Sequence, residues 1–263
     1  MDKATWAGVL VALGGIVAGL LLEGGNLSQV LQPTAAMIVF GGTAGAVLIQ
    51  FPWKAVAGAV RRLASIFFQP RGEGEEILRQ LVRYARQARQ EGIVALDREL
   101  PKIHDPFLKK TLMLAVDGME PQELRRMAEL EMENHLEREE RFSAVFESAG
   151  GFSPTIGIIG AVLGLIQVMQ HLDKIEEVGR GIAVAFVATI YGVGAANLFF
   201  LPAAGKLKIR MHEEQILRQM TLEGVVSILE GMNPRMLETK LLAFLSDAVR
   251  TETPPQAKAK AAS

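Results

Sequence analysis

Apolar and charged residues are segregated along this chain into long blocks rather than interleaved. Four windows hold no Asp, Glu, Lys or Arg: residues 4–22, 24–53, 148–172 and 181–205, of 19, 30, 25 and 25 residues. A helix needs about 20 mostly apolar residues to cross the hydrocarbon core of a bilayer. A helix on a soluble domain normally keeps one charged, wet face, so uncharged runs of this length are foreign to it. The windows predict four membrane-spanning helices, near Thr5–Leu22, Thr34–Phe51, Phe152–Met169 and Gly181–Leu201. A soluble all-α protein with buried helices is the competing fold. The first window also has the Lys3 and apolar run of a secretory signal. However, "LVALGGIVAGLLLEGG" is long for one and lacks a small-x-small cleavage site before a polar start, which favours a retained span.

Between the windows the pattern changes to that of amphipathic helices. "EEILRQLVRYARQARQEGIVALDREL" places Ile77, Leu78, Leu81, Val82 and Ala85 at helical spacing, with Gly92 as a break. A second helix starts at "GMEPQ", where Pro121 suits a first-turn position. It meets no further Pro or Gly until Gly150, so the third span is expected to continue it. "KLKIRMHEEQILRQMTLEGVVSILEG" likewise extends the fourth span, until Gly231 and Pro234 end it. "KLLAFLSDAV" is one more short amphipathic helix, and "TETPPQAKAKAAS" is low in complexity and expected to be disordered. The expected organisation is two spans in 1–51, a helical domain in 52–150, two spans in 151–202, a helical extension in 203–250 and a tail in 251–263.

Charge orients this arrangement. Residues 23–33 contain no Lys or Arg, whereas 52–150 contain sixteen, Lys54, Arg61 and Arg62 among them beside the second span. Residues 170–180 carry two basic residues against three acids, and Lys206, Lys208 and Arg210 follow the fourth span directly. The positive-inside rule then puts both termini and residues 52–150 in the cytoplasm. The chain has no cysteine, which removes disulfides and thiolate chemistry. A net charge of −1 gives no reason to expect nucleic acid.

The spans are unusual in two ways. Gly157, Gly160, Ala161, Gly164 and Val168 share one face of the third, and Ala185, Ala188, Thr189, Gly192 and Ala196 share one face of the fourth. Small residues let transmembrane helices approach closely. These faces either pack on each other within one subunit or line a slot for something else. Pro154 and Pro202 fall at the same end of their spans, which suggests a shared hinge or constriction.

The second peculiarity is an absence. Ion paths through membranes usually use an intramembrane ionisable group, and these windows hold no carboxylate, Lys or Arg. Spans three and four offer only Ser153, Thr155, Gln167, Thr189, Tyr191 and Asn197. Either the protein conducts nothing or a partner helix brings the titrating group. A mid-membrane Asp costs about 2.5–3.5 kcal/mol on insertion scales, so it would want a polar neighbour such as Thr189. His104, His135, His171 and His212 lack metal-binding spacing, and no phosphate-binding loop or nucleophile elbow occurs. No enzyme activity, metal or cofactor is expected.

"AFVATIYGVGAANLFFLP", residues 185–202, resembles the fourth-span signature of the MotA family of flagellar stator proteins, through Ala185, Thr189, Gly192 and Pro202. Gly194 departs from it, standing where a larger apolar residue is usual. "FSPTIGIIGAVLGLIQVM" resembles the family's third span, and "DGMEPQELRRMAELEME" and "EGMNPRMLETKLLAFL" resemble its cytoplasmic segments. The related TolQ and ExbB energisers share the last two spans but have three in all. They remain an alternative, as does a non-conducting membrane scaffold.

The resemblance implies an all-α integral membrane protein of the flagellar basal body, in the bacterial cytoplasmic membrane. It implies five copies around two helices of a MotB-type subunit, which carries the essential Asp and a peptidoglycan-binding domain. Ion flow would turn the ring and drive the rotor protein FliG. The ion pathway is expected at Thr189, Thr155, Ala161 and Tyr191, with Thr189 facing the partner's Asp. Pro154 and Pro202 match the prolines linked to coupling, and Gly157, Gly160, Gly164 and Gly192 are expected to serve helix packing. "ARQEGIVALDRE" places the rotor-contact charges at Arg89 and Asp97, the latter where Glu is more usual. Sodium-driven relatives tend to carry Thr where this chain has Ala161, so the resemblance leans to protons over sodium.

Overall fold

The computed structural model describes residues 3–63 and 73–250; the expected tail at 251–263 lies outside them. Every regular element among the described residues is helical. We label the helices α1 (Lys3–Leu22), α2 (Pro33–Gln50), α3 (Trp53–Leu63), α4 (Glu73–Glu91), α5 (Pro106–Val116), α6 (Pro121–Gln170), α7 (Ile175–Leu229) and α8 (Pro234–Arg250). A single turn, Leu27–Val30, precedes α2, and a 3-10 segment, Ile93–Lys102, follows α4. Helices α1, α2, α6 and α7 are long and apolar enough to cross a membrane.

The two longest helices run as the sequence pattern predicts. Helix α6 is continuous over 50 residues, from Pro121 in its first turn through Pro154. Pro154 removes one N–H from the ladder without ending the helix, which a packed membrane span tolerates. Helix α7 reaches Pro202 through a π-helical turn, Ala196–Phe200, in which the Leu201 N–H donates to the Ala196 carbonyl five residues back. A second π-turn, Met37–Gly41, interrupts α2. Such wide turns recur at functional sites in helices.

The chain divides into two compact units. One comprises Met1–Gln69 with Arg138–Arg210, the other Pro70–Glu137 with Met211–Ser263. In the first, Ala35 and Val39 of α2 are buried against Val187 and Ala188 of α7. Two turns further along α2, Val47 joins a cluster with Val145, Phe146 and Ala149 of α6, Ala203, Ala204 and Leu207 of α7, and Ala59 of α3. None of Thr5–Leu22 in α1 is buried, so its apolar surface is left to lipid or to other chains.

The second unit is an ordinary close-packed helical core. Of the five positions singled out by spacing, Leu78, Leu81, Val82 and Ala85 are buried against Leu96, Leu108, Leu112, Leu124, Val225, Leu237 and Leu241, while Ile77 packs on the same cluster only partly buried. The Asp105 side chain caps α5, accepting from the Leu108 N–H at 2.6 Å. Gly92 ends α4 in the left-handed region, at φ 86°, which glycine adopts at little cost. An ion-paired network ties α6, α7 and α8 together here: Arg125 and Lys240 both bond the Glu223 carboxylate.

Candidate functional site: the seam between two membrane spans

The glycines of α6 and α7 lie against each other. A Cβ on Gly157 would sit 2.9 Å from the Ala188 carbonyl oxygen and 3.2 Å from the Gly192 Cα. One on Gly192 would sit 2.6 Å from the Ser153 carbonyl oxygen and 3.3 Å from the Pro154 Cα. Further along, a Cβ on Gly164 would meet the Gly181 oxygen at 2.8 Å and the Ala185 nitrogen at 2.9 Å. Gly160 faces Ala188 and also Ile38 of α2, where a Cβ would lie 2.8 Å and 3.3 Å from side-chain carbons. The partners at Gly157, Gly164 and Gly192 are backbone atoms, which cannot swing aside. These four glycines therefore seal a three-helix seam inside one subunit. Of the two roles weighed for the small-residue faces, their packing on each other is the one the geometry displays.

The polar side chains sit at the margins of this seam. Thr189 is half-buried, and a Cβ on Gly157 would approach its Cα to 3.5 Å. Its hydroxyl donates to the Ala185 carbonyl at 3.1 Å, one turn back. Thr155 is exposed and its hydroxyl donates to the Phe152 carbonyl at 2.8 Å. Ala161 is half-buried, on the same face as Gly157 and Gly164. Both threonine hydroxyls keep their lone pairs for a second partner after donating to their own helix. Ser153, next to Pro154, is fully buried in the seam.

Tyr191 has a different position from the others. Its hydroxyl donates to the Val30 carbonyl at 2.6 Å and accepts from the Gln32 N–H at 3.3 Å. The Phe40 ring lies 6.0 Å from its own. This side chain fastens the segment entering α2 onto α7. Its hydroxyl is engaged with backbone on both sides, so Tyr191 anchors this segment, whatever part it takes in the ion path that the resemblance implies. A contact spanning 159 residues of chain left no local signal in the sequence.

Beyond the seam, α6 exposes Ile158, Ile159, Val162 and Leu163, and α7 exposes Phe186, Ile190 and Val193. These spans thus keep apolar faces uncovered after packing on each other. In the second unit, Arg89 lies in the last turn of α4 and Asp97 in the 3-10 segment, both exposed. Neither makes an ion pair with another described residue, whereas nearby Glu99 is held by Arg83 and Lys102. The Lys102 hydrogen bond lowers the Glu99 carboxyl below its ordinary value.

Known proteins share this whole arrangement. Residues 99–220 match the MotA/TolQ/ExbB proton channel family, and residues 6–92 match the motility protein A N-terminal family. The chain is 36% identical to motility protein A of Bacillus subtilis (strain 168), over 99% of this chain and 97% of that protein. It is 30% identical to chemotaxis protein PomA of Vibrio alginolyticus, over 95% of this chain and 98% of that one. A C. jejuni MotAB structure superposes with a TM-score of 0.87 at 32% identity, covering 93% of this chain and 96% of that one. The flagellar MotAB stator complex from Bacillus subtilis gives 0.84 at 34% identity, covering 95% and 99%. The chain belongs to the motility protein A branch of the MotA/TolQ/ExbB proton channel family, the A subunits of flagellar motor stators.

Proposed function

We propose that this A subunit conducts protons together with a MotB-type subunit and converts their passage into torque. One observation carries the reading: the apolar windows of α6 and α7 contain no carboxylate, Lys or Arg, yet Thr189 presents a hydroxyl at the edge of their seam. The titrating carboxylate is then an Asp on the partner's membrane helix, seated opposite Thr189, with Thr155 nearer the Pro154 end. A partner bearing a peptidoglycan-binding domain would hold still while a ring of A subunits moves; five copies around two partner helices is the assembly the resemblance implies. Likeness to MotAB complexes supports this partnership.

The basic residues flanking α2 and α7 support both termini lying on the cytoplasmic side of the inner membrane. On that side Arg89 and Asp97 are available as the charges that push on FliG. Pro154 and the π-turn before Pro202 supply the places where α6 and α7 can flex as an ion passes. Ala161 offers a methyl where a hydroxyl would help coordinate Na⁺, a hard cation that prefers oxygen ligands. The deciding measurement is swimming speed against external Na⁺ at fixed pH, with and without a protonophore. Proton drive predicts a speed independent of Na⁺ and abolished by the protonophore. A speed that rises with Na⁺ and survives the protonophore overturns the assignment.

A further inference from the structure

Helix α3 follows α2 directly and has two dissimilar faces. Ala55 and Ala59 are buried, and a Cβ on Gly58 would run into the Phe142 ring of α6. On the same side the Arg62 Nε donates to Glu139 at 2.6 Å. The opposite side is open. Trp53 is 71% exposed and Val60 59% exposed, with exposed Ala57 between them at helical spacing. Lys54 and Arg61, seven residues apart, line one edge of this stripe. Both are exposed, and among the described residues neither makes an ion pair. The other basic side chains nearby are engaged, Arg62 with Glu139 and Lys208 with Glu147.

We infer that α3 binds anionic phospholipid headgroups at the surface of the leaflet where α2 ends, with Trp53, Ala57 and Val60 in the acyl boundary and Lys54 and Arg61 on the lipid phosphates. A bare apolar stripe on a helix joined to a membrane span, separated only by Phe51 and Pro52, cannot sit far from the bilayer surface. A helix lying in that plane buries one face about 5–10 Å into the boundary region and gains from basic residues beside it. Tryptophan prefers that depth. Two unpaired cations supply the charge complementarity that a zwitterionic surface would not satisfy. Because the other face of α3 packs on α6, headgroup charge would also steady the junction from which α6 enters the seam. The inference rests on α2 spanning the membrane and not on ion conduction, so its failure leaves the conduction reading standing.

Trp53 provides its own probe, since Trp6 is the only other tryptophan. The full-length Trp6→Phe protein would be reconstituted into vesicles of phosphatidylcholine with about a third phosphatidylglycerol, with bromine on the acyl chains of one lipid at a time. Each basic residue near an anionic surface contributes roughly a fivefold preference. The expected result is at least about twofold stronger quenching of Trp53 by brominated phosphatidylglycerol, per mole, than by brominated phosphatidylcholine. High salt should shrink that ratio in the same protein, because exposed charge is screened. Lys54→Gln with Arg61→Gln should bring it to one while quenching itself persists. Equal quenching by both lipids, or a preference unmoved by salt and by the double variant, overturns the headgroup site. Absence of quenching by either lipid overturns the membrane placement of the stripe.

Discussion

Gly157 and Gly192 meet backbone to backbone: a Cβ on Gly192 would lie 3.0 Å from the Gly157 Cα. Without a hydrophobic drive inside lipid, such close packing is what holds two spans together. Gly192→Ala forces the new methyl against the Ser153 oxygen as well, and no flexible side chain can yield. The expected cost is about 1–3 kcal/mol, the usual range for overpacking. Gly194→Ala, two residues on, meets no atom within 4 Å and should be neutral. Thermal unfolding of the purified protein in detergent compares them. Equal melting temperatures for the two variants would contradict a close-packed seam.

The Tyr191 hydroxyl is predicted to hold the entry of α2 in place. Tyr191→Phe keeps the ring beside Phe40 but loses the bonds to Val30 and Gln32. The loss should be about 1–2 kcal/mol for two hydrogen bonds in a partly buried setting. Amide exchange reports it locally: the Gln32 N–H should exchange faster in the variant, while amides in the core of α4 and α5 should be unaffected. An unchanged Gln32 rate would show that the bond does not constrain that segment.

The four spans were legible because a bilayer demands long uncharged runs, and little else produces them. The continuity of α6 was legible because residues 122–149 contain neither Pro nor Gly. Leu78, Leu81, Val82 and Ala85 were found as core by spacing alone. Helix α3 was missed, as were α5 and the 3-10 segment. Each is short, and the fixed covering of α3 by Phe142 is a long-range contact that no local pattern encodes. The π-turns were invisible for the same reason: one extra residue per turn changes hydrogen bonding, not hydropathy. At the seam, the sequence identified the right glycines but could not say whether they faced each other or a third helix. Backbone distances resolve this, since Gly157, Gly164 and Gly192 are stopped by the opposite span.

Glu223 should make the second unit acid-sensitive. Its bond to Arg125, with further help from Lys240, holds the carboxyl down to about 2, from an ordinary 4.5. A depressed carboxylate contributes stability above its unfolded pKa and loses it as pH falls toward the folded one. The contribution is therefore complete near neutrality and lost between about pH 5 and pH 2, and with solvent screening of the partly exposed partners it is on the order of 2 kcal/mol in all. Glu223→Gln should be less stable than wild type at pH 7, with the gap closing as pH falls through that window. Denaturant unfolding at several pH values checks it. A gap independent of pH would mean that the network contributes shape and not charge.

Arg89 and Asp97 supply the last prediction, which rests on the proposed contact with the rotor. Exposed ion pairs contribute only about 0–1 kcal/mol, so reversing an unpaired surface charge should barely change folding. Stability and membrane insertion of Arg89→Glu and Asp97→Arg should match wild type. Torque should not. If each charge faces an opposite charge on the rotor, each reversal replaces attraction with repulsion, and like charges across an interface cost affinity and slow association. Torque per stator, read from the speed of a bead tethered to a flagellar stub as units join one by one, should fall in both single variants. A compensating charge reversal on the rotor protein should restore it for the matching partner only. Full torque in both single variants, with normal insertion, would remove these residues from the rotor interface and leave them as solvated helix surface.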